Sequence, residues 1–446
     1  MHKSRAARLL AVMSPCVAVM AMLASCSSAP PRQAGPPAGT GGSRPAAART
    51  VRLLLPAPAG PYHVGTVSLP LVDHSRRNPF AASPPYRELM ISIWYPAQNT
   101  AGYPLAPYML PGAAASFGSR GGQAQQLLGV PPNTVNWAAI RTGGRIGAPV
   151  ARHDRPFPVV MFSPDLADPR TLDTTPAQDL ASRGYVVVTI DHTYDGSEVE
   201  FPGGQQVSSQ LPRLLKQTPP ARLQQTLLAW ANKDITARVE DTPFVLDELT
   251  ALDAGRNPSA RRQPLPQGLA GALDLNRIGV LGESLGGMTA AQAMYEDPRI
   301  KAGIDLDGND VGAGPQNNPG NLVPVLRHGL NRPFMIMATP GSDINTVPAW
   351  KPFWKRSSGW HIDLTLNGAN GDHSYSDAAP LVPQIVRKLG LPHSLVTRDI
   401  GTIDPTRTIP AEEAYIAAFF GRWLRGHDNH LLDGPSPRYP DFTFVR

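Results

Sequence analysis

The sequence predicts an α/β fold, a mostly parallel central sheet flanked by helices and opened by antiparallel N-terminal strands. Three observations lead there. Between residues 158 and 425, short apolar runs rich in β-branched residues alternate with stretches of helical periodicity, the pattern of successive strand–helix crossovers. Residues 185–190 (YVVVTI) form a continuous apolar run, as expected of a strand covered on both faces. Gly282-Glu283-Ser284-Leu285-Gly286 lies between a strand-like run and a helix-like run rich in small residues, where a tight strand-to-helix turn belongs.

The elements follow in order. Residues 86–95 (YRELMISIWY) alternate, with Leu89, Ile91 and Ile93 on one face, and should pair with residues 64–69. Residues 101–153 are rich in Gly, Pro and Ala and read as a long surface insertion. Residues 158–162 form a short buried-type strand, and residues 175–183 a helix ended by Gly184. Ile235, Val239, Leu246, Leu249 and Leu252 recur at helical spacing. Strands follow at 277–281, 302–306, 334–338 and 361–366, with a helix at 288–295. A terminal helix over 411–425 carries an apolar stripe through Ile416, Phe419, Phe420 and Trp423. Residues 202–222 and 253–272 read as excursions over the sheet. No second tether like residues 27–50 recurs, so residues 51–446 form one domain with insertions near 101–153, 202–222 and 253–272.

Composition narrows the function. Of 446 residues, 41% are hydrophobic and 17% charged, enough for a sizeable core and against wholesale disorder. The net charge of +6 includes Lys3, Arg5 and Arg8, and no block of five like charges occurs, so nucleic-acid binding is not expected. The two cysteines, Cys16 and Cys26, both lie in the N-terminal stretch. The body is therefore without disulfides, thiolate metal sites or a cysteine nucleophile.

The N-terminal stretch reads as an address. Lys3, Arg5 and Arg8 precede an uncharged, mostly apolar run over residues 9–25, the plan of a secretory signal. It ends in Leu23-Ala24-Ser25-Cys26, which resembles the lipobox of bacterial lipoproteins. That resemblance implies a signal peptide over 1–25, a lipidated Cys26 and an extracytoplasmic, membrane-anchored protein. Residues 27–50 contain no apolar side chain larger than alanine or proline and read, with Cys26, as a disordered tether with a reach of roughly 25–30 Å.

The chemistry concentrates at Ser284. Its G-x-S-x-G string alone is weak, since roughly 0.2–0.3 chance matches are expected in a chain of this composition. A strand entering it and a small-residue helix leaving it make it a nucleophile elbow. Its glycines admit a turn too tight for Cβ atoms, and the helix N-terminus favours developing negative charge. Serine needs a base held by an acid, and in this arrangement the chain order is serine, acid, histidine. Of the six histidines after Ser284, His373 follows the strand at 361–366 through a glycine-containing loop, where the base belongs. For the acid, Asp343 follows the strand at 334–338, while Asp305 lies within the strand at 302–306 and Asp307 and Asp310 follow it.

The chain resembles α/β-hydrolases of the platelet-activating factor acetylhydrolase type, including their bacterial secreted relatives. The resemblance spans most of residues 64–446. It rests on Ile93-Trp94-Tyr95-Pro96, Asp179-Leu180-Ala181-Ser182-Arg183-Gly184-Tyr185, Asp191-His192, Asp195-Gly196-Ser197, the elbow, Ala302-Gly303-Ile304-Asp305-Leu306-Asp307-Gly308, and His373 with Tyr375-Ser376-Asp377. It implies an α/β-hydrolase fold, Asp307 as the acid, and the backbone N–H groups of Leu166 and Leu285 as the oxyanion hole. Where the family usually has His-Gly-Leu-Gly, this chain has Pro164-Asp165-Leu166-Ala167. A carboxylate beside an oxyanion opposes it, so Asp165 is expected to turn outward or pair with a base such as Arg170.

Two further patterns are set aside. The aspartates from Asp305 mimic a calcium loop, but Asp310 stands where it needs glycine and Gln316 where it needs glutamate. His192 precedes the serine and reads as structural. The expectation is a serine esterase without metal or cofactor, acting through an acyl-enzyme on Ser284, His373 and Asp307. The resemblance implies short acyl esters of lipids. A polyester or xenobiotic ester hydrolase, or a tethered binding protein whose catalysis has decayed, are the competing readings. Oligomeric state is not legible in the sequence.

Overall fold

The computed structural model describes residues 51–152, 154–308 and 323–446. Cys26, the signal and tether, Asp310 and Gln316 lie outside the described residues. β1 (His63–Arg77) and β2 (Tyr86–Ala97) pair antiparallel, with Val67 opposite Ile93 and Leu69 opposite Ile91. This is the pairing that the alternation requires. β3 (Leu105–Pro107) and β4 (Arg141–Ile146) follow, then β5 (Phe157–Ser163), β6 (Val186–Asp191) and a small hairpin of β7 (Val199–Glu200) and β8 (Gln206–Val207). β9 (Leu273–Glu283), β10 (Ile300–Leu306), β11 (Phe334–Ala338), β12 (His361–Leu366) and β13 (Phe442–Val445) complete the set. One eleven-stranded sheet runs in the order β13-β12-β11-β10-β9-β5-β6-β2-β1-β4-β3. Its centre, from β12 to β6, is parallel.

Side chains alternate across this sheet and divide its core in two. Val160 and Phe162 of β5 face one layer, built from α1 (Thr174–Ser182), α4 (Ala378–Leu389) and α6 (Pro405–Arg425), where Leu180, Ile385 and Phe420 are buried. Val159 and Met161 face the other, where Leu246 and Leu249 of α2 (Leu223–Asp253) pack with Met288 and Ala291 of α3 (Leu285–Glu296). A further short helix, α5 (Ser394–Ile400), lies between α4 and α6 in the chain.

One expectation needs correcting. Residues 101–153 are not a surface excursion, because β3 and β4 extend the sheet and Phe117, Trp137 and Ile140 are buried in the core. Their small residues are what allows this. A Cβ on Gly144 would stand 2.8 Å from the Trp94 ring, so only glycine lets β4 lie so close. Residues 202–222 are likewise partly packed, with Leu211 and Leu215 clustering with Phe80 and Trp230.

Candidate active site

β12, β11, β10, β9 and β5 are consecutive and parallel, so the segments after them gather at one sheet edge. Functional residues collect at such edges in open α/β sheets. Ser284 stands after β9 with φ 51° and ψ −117°, and α3 begins at the next residue. Its N–H donates to Leu306 O at 2.8 Å, tying the turn to the end of β10. A Cβ on Gly282 would meet Gly286 O at 2.2 Å, and one on Gly286 would meet Ser163 O at 2.0 Å. Both elbow glycines are therefore obligatory.

Asp307 follows β10 with φ 56°, and its N–H donates to Met337 O at 2.8 Å. Its buried carboxylate accepts from Thr339 N–H at 2.8 Å, from the Thr339 hydroxyl at 2.9 Å and from the Ser342 hydroxyl. Burial pushes its pKa up to about 7, against the lowering effect of Ser342 and with a contribution from nearby Asp372. The sequence reading missed Thr339 and Ser342. Their signal was the turn Thr339-Pro340-Gly341-Ser342-Asp343 after β11. Asp343 itself caps that turn, its Oδ1 accepting from Asn345 N–H at 2.8 Å and Thr346 N–H at 3.0 Å. Asp305 points back beneath α3, where a Cβ on Gly287 would meet its Oδ1 at 1.9 Å.

His373 lies after β12 in the 3₁₀ turn Asp372–Ser374. Tyr375 anchors this turn by donating its hydroxyl to Ala338 O at 2.8 Å. Asp377 anchors it further, accepting from Thr174 N–H and Thr175 N–H at 3.2 Å each. The half-buried His373 bonds through its main chain, donating to Asp372 Oδ1 at 2.9 Å. Its ring makes no hydrogen bond to Ser284 or Asp307 in this structure. Asp399 of α5 lies close enough to feel the His373 ring, its carboxyl being pushed up by burial and drawn down by Arg398 and His373. Ser284, Asp307 and His373 thus share the edge without closing a hydrogen-bonded chain.

The oxyanion loop departs from expectation. Asp165 neither turns outward nor pairs with Arg170. Its Oδ1 accepts from Leu285 N–H at 3.3 Å, one of the two donors assigned to the oxyanion. The N-terminus of α3 draws the carboxylate in, since it presents unpaired N–H groups and positive charge. Arg170 is held elsewhere, paired with Asp191 and donating to Ser92 Oγ at 2.8 Å. Leu166 occupies the turn Asp165–Asp168, which is closed by Asp168 N–H to Asp165 O at 3.2 Å.

Glu283, the residue before Ser284, faces Asp173 across a fully buried gap. Among the described residues no donor reaches either carboxyl. Burial raises both, Asp173 to about 8 and Glu283 well above its usual range. A neutral Glu283 keeps one negative charge away from Ser284.

Beneath the oxyanion loop lies a hydrogen-bonded Ser–His–Asp chain. Ser163 Oγ is 2.9 Å from His192 Nε2, and His192 Nδ1 is 2.9 Å from Asp241 Oδ2. Burial lowers His192 to about 4, so its ring is neutral. Asp241 stays ionised because Arg87 and His192 outweigh its burial. Nδ1–H therefore donates to Asp241, and Nε2 accepts from the Ser163 hydroxyl. His192 and Asp241 are fully buried, and Ser163 sits on a regular strand rather than an elbow. This is the structural setting expected for His192. A groove of about 1260 Å³ lies between residues 54–59 and the 380–439 region and contains none of these groups. The chemistry is placed by the strand-end geometry, not by cavity size.

Comparison with known proteins agrees with this architecture. A ferulic acid esterase structure from Streptomyces cinnamoneus matches with a TM-score of 0.67 and 32% identity, covering 88% of this chain and 99% of that one. A protein of Arthroderma benhamiae, named a probable 1-alkyl-2-acetylglycerophosphocholine esterase, is 26% identical over 88% of this chain and 94% of its own length. The platelet-activating factor acetylhydrolase of Canis lupus familiaris is 25% identical over 59% of this chain and 56% of its own length. The family model for platelet-activating factor acetylhydrolase, isoform II, matches residues 47–315, which contain Ser284 and Asp307 and end before His373. The chain therefore belongs to the platelet-activating factor acetylhydrolase, isoform II, family of α/β-hydrolases and is a carboxylic ester hydrolase.

Proposed function

We propose that the protein hydrolyses short acyl esters of lipids through an acyl-enzyme on Ser284. The observation that carries this reading is the elbow. Ser284 is held at φ 51° at the head of α3, beside Asp307 at the neighbouring strand end. Ser284 attacks the ester carbonyl. The His373 ring swings from the Asp372–Ser374 turn, takes the Ser284 proton, and returns it to the leaving alkoxide. Asp307 stabilises the imidazolium that forms. Leu166 and Leu285 N–H groups receive the oxyanion once the Asp165 carboxylate withdraws. Water then releases the acid. The lipid-like substrate is supported by the names of the fungal and canine relatives. A lipidated Cys26 would hold the enzyme at a membrane where such esters occur, and failure of the full-length chain to partition into detergent would remove that part.

A fluorophosphonate probe tests the centre. Wild-type protein should be labelled at Ser284, and the folded Ser284→Ala variant should lose both label and nearly all turnover. The bond from Leu285 to Asp165 favours a second reading, a binding protein with its oxyanion hole closed. Folded wild-type protein that takes no label would favour that reading. A panel of p-nitrophenyl esters from acetate to palmitate, with feruloyl esters alongside, tests the acyl preference.

A further inference from the structure

Arg238 stands on α2 with its side chain fully buried beneath the loop that follows β5. Its Nη1 donates to Pro164 O at 2.5 Å and its Nη2 to Asp165 O at 2.9 Å. The same guanidinium donates through Nε to Asp234 Oδ2 at 2.8 Å and pairs with Asp195. Asp195 in turn accepts Ala167 N–H at 3.3 Å through its other oxygen. The base of the loop is tied down through the Ser163–His192–Asp241 chain.

In a trans peptide the C=O and the following N–H point in opposite directions. Two successive carbonyls turned inward to Arg238 therefore turn the N–H groups of Asp165 and Leu166 away from Arg238. A planar, five-donor guanidinium can hold two carbonyls and two carboxylates at once, and a lysine ammonium cannot. We infer that Arg238, braced by Asp195 and Asp234, is the positioning residue that aims the Leu166 N–H into the oxyanion hole. This rests on the Ser284 reading above and adds to it a residue that contacts neither substrate nor nucleophile. The sequence carries a signal for it. Asp234, Arg238 and Asp241 recur at helical spacing beside Ile235 and Val239, a charged stripe on a helix face that is otherwise buried.

The test is steady-state kinetics on p-nitrophenyl acetate with Arg238→Lys and the isosteric Asp195→Asn, folding being checked by circular dichroism. Arg238→Lys should lower kcat by about 10- to 100-fold with KM within about threefold, because misaiming a donor costs less than the roughly 10²–10³ lost on deleting one. Asp195→Asn should lower kcat by a smaller factor in the same sense. Affinity for a trifluoromethyl ketone, whose adduct carries the oxyanion, should fall in proportion to kcat/KM. A folded Arg238→Lys enzyme with native kcat, or one in which only KM rises, overturns the inference. If Arg238→Lys does not fold, Asp195→Asn decides, and native kcat there overturns it. Fluorophosphonate labelling of wild-type protein separates the two levels. Without label the Ser284 reading fails, whereas with label and unchanged variants only the role of Arg238 fails.

Discussion

The Leu285 N–H donates to Asp165 Oδ1 at 3.3 Å, so the loop carboxylate occupies a donor that the proposed reaction assigns to the oxyanion. Hydrogen bonds to charged groups are worth ~1.5–3 kcal/mol, and that bond has to be broken before an oxyanion can take its place. Asp165→Gly should therefore raise kcat/KM by about tenfold, equivalent to ~1.4 kcal/mol. Kinetics on p-nitrophenyl acetate at equal folded concentration check this. A collapse of turnover at unchanged stability would assign Asp165 a direct part in the reaction.

Asp307 and Asp343 stand at successive strand ends, but only Asp307 is buried at the site. Asp307→Asn should cost on the order of 10⁴ in turnover, the scale of losing an acid that fixes the tautomer of its histidine. Asp343→Asn should lose little, because its carboxylate serves a local surface turn. The two variants belong in one assay, and the reverse ranking would move the acid to Asp343.

Stability should fall as pH rises from about 5.5 to 8. Burial raises Asp173 to about 8, Asp307, Asp363 and Asp377 to about 7, and Glu413 to about 8. The same groups titrate near 4 in the unfolded chain. The native state thus holds more protons between roughly pH 4 and 8, and stability declines across that window. The contribution is complete below about pH 4 and is lost as each folded pKa is passed. His192, lowered to about 4 by burial, works the other way between about 4 and 6.5, as a single group against five. Thermal unfolding should give a midpoint a few degrees lower at pH 8 than at pH 5.5, and a higher one would contradict the accounting.

Ala167 holds φ +68° in the turn that carries Leu166. The left-handed region costs a residue with a Cβ roughly 1–2 kcal/mol, part of which glycine returns through a freer unfolded chain. Ala167→Gly should stabilise the protein by ~0.5–1 kcal/mol with kcat near native, measured by urea unfolding and p-nitrophenyl acetate turnover. A destabilised variant would show that the alanine methyl contributes packing that outweighs its strain.

Local sequence determined the fold class, the elbow and the antiparallel opening. The runs around Val160, Val187 and Ile304 are apolar at the period of a doubly covered strand, and Gly282 and Gly286 are required by the turn's own sterics. Those signals need no knowledge of what lies across the molecule. β13 and α4 were illegible, the first because four residues carry too little periodicity and the second because Pro383 signals a helix break even though Leu381, Val382, Ile385 and Val386 keep helical spacing around it. The setting of the site was decided only in three dimensions. Thr339 reaches Asp307 across 32 residues, Arg238 reaches Asp165 across 73, and Thr174 reaches Asp377 across 203. Sequence placed Asp165 beside an oxyanion hole. Only the tertiary structure turned its carboxylate to the Leu285 N–H at the head of α3, where helix N–H groups favour negative charge, while Asp191 holds Arg170.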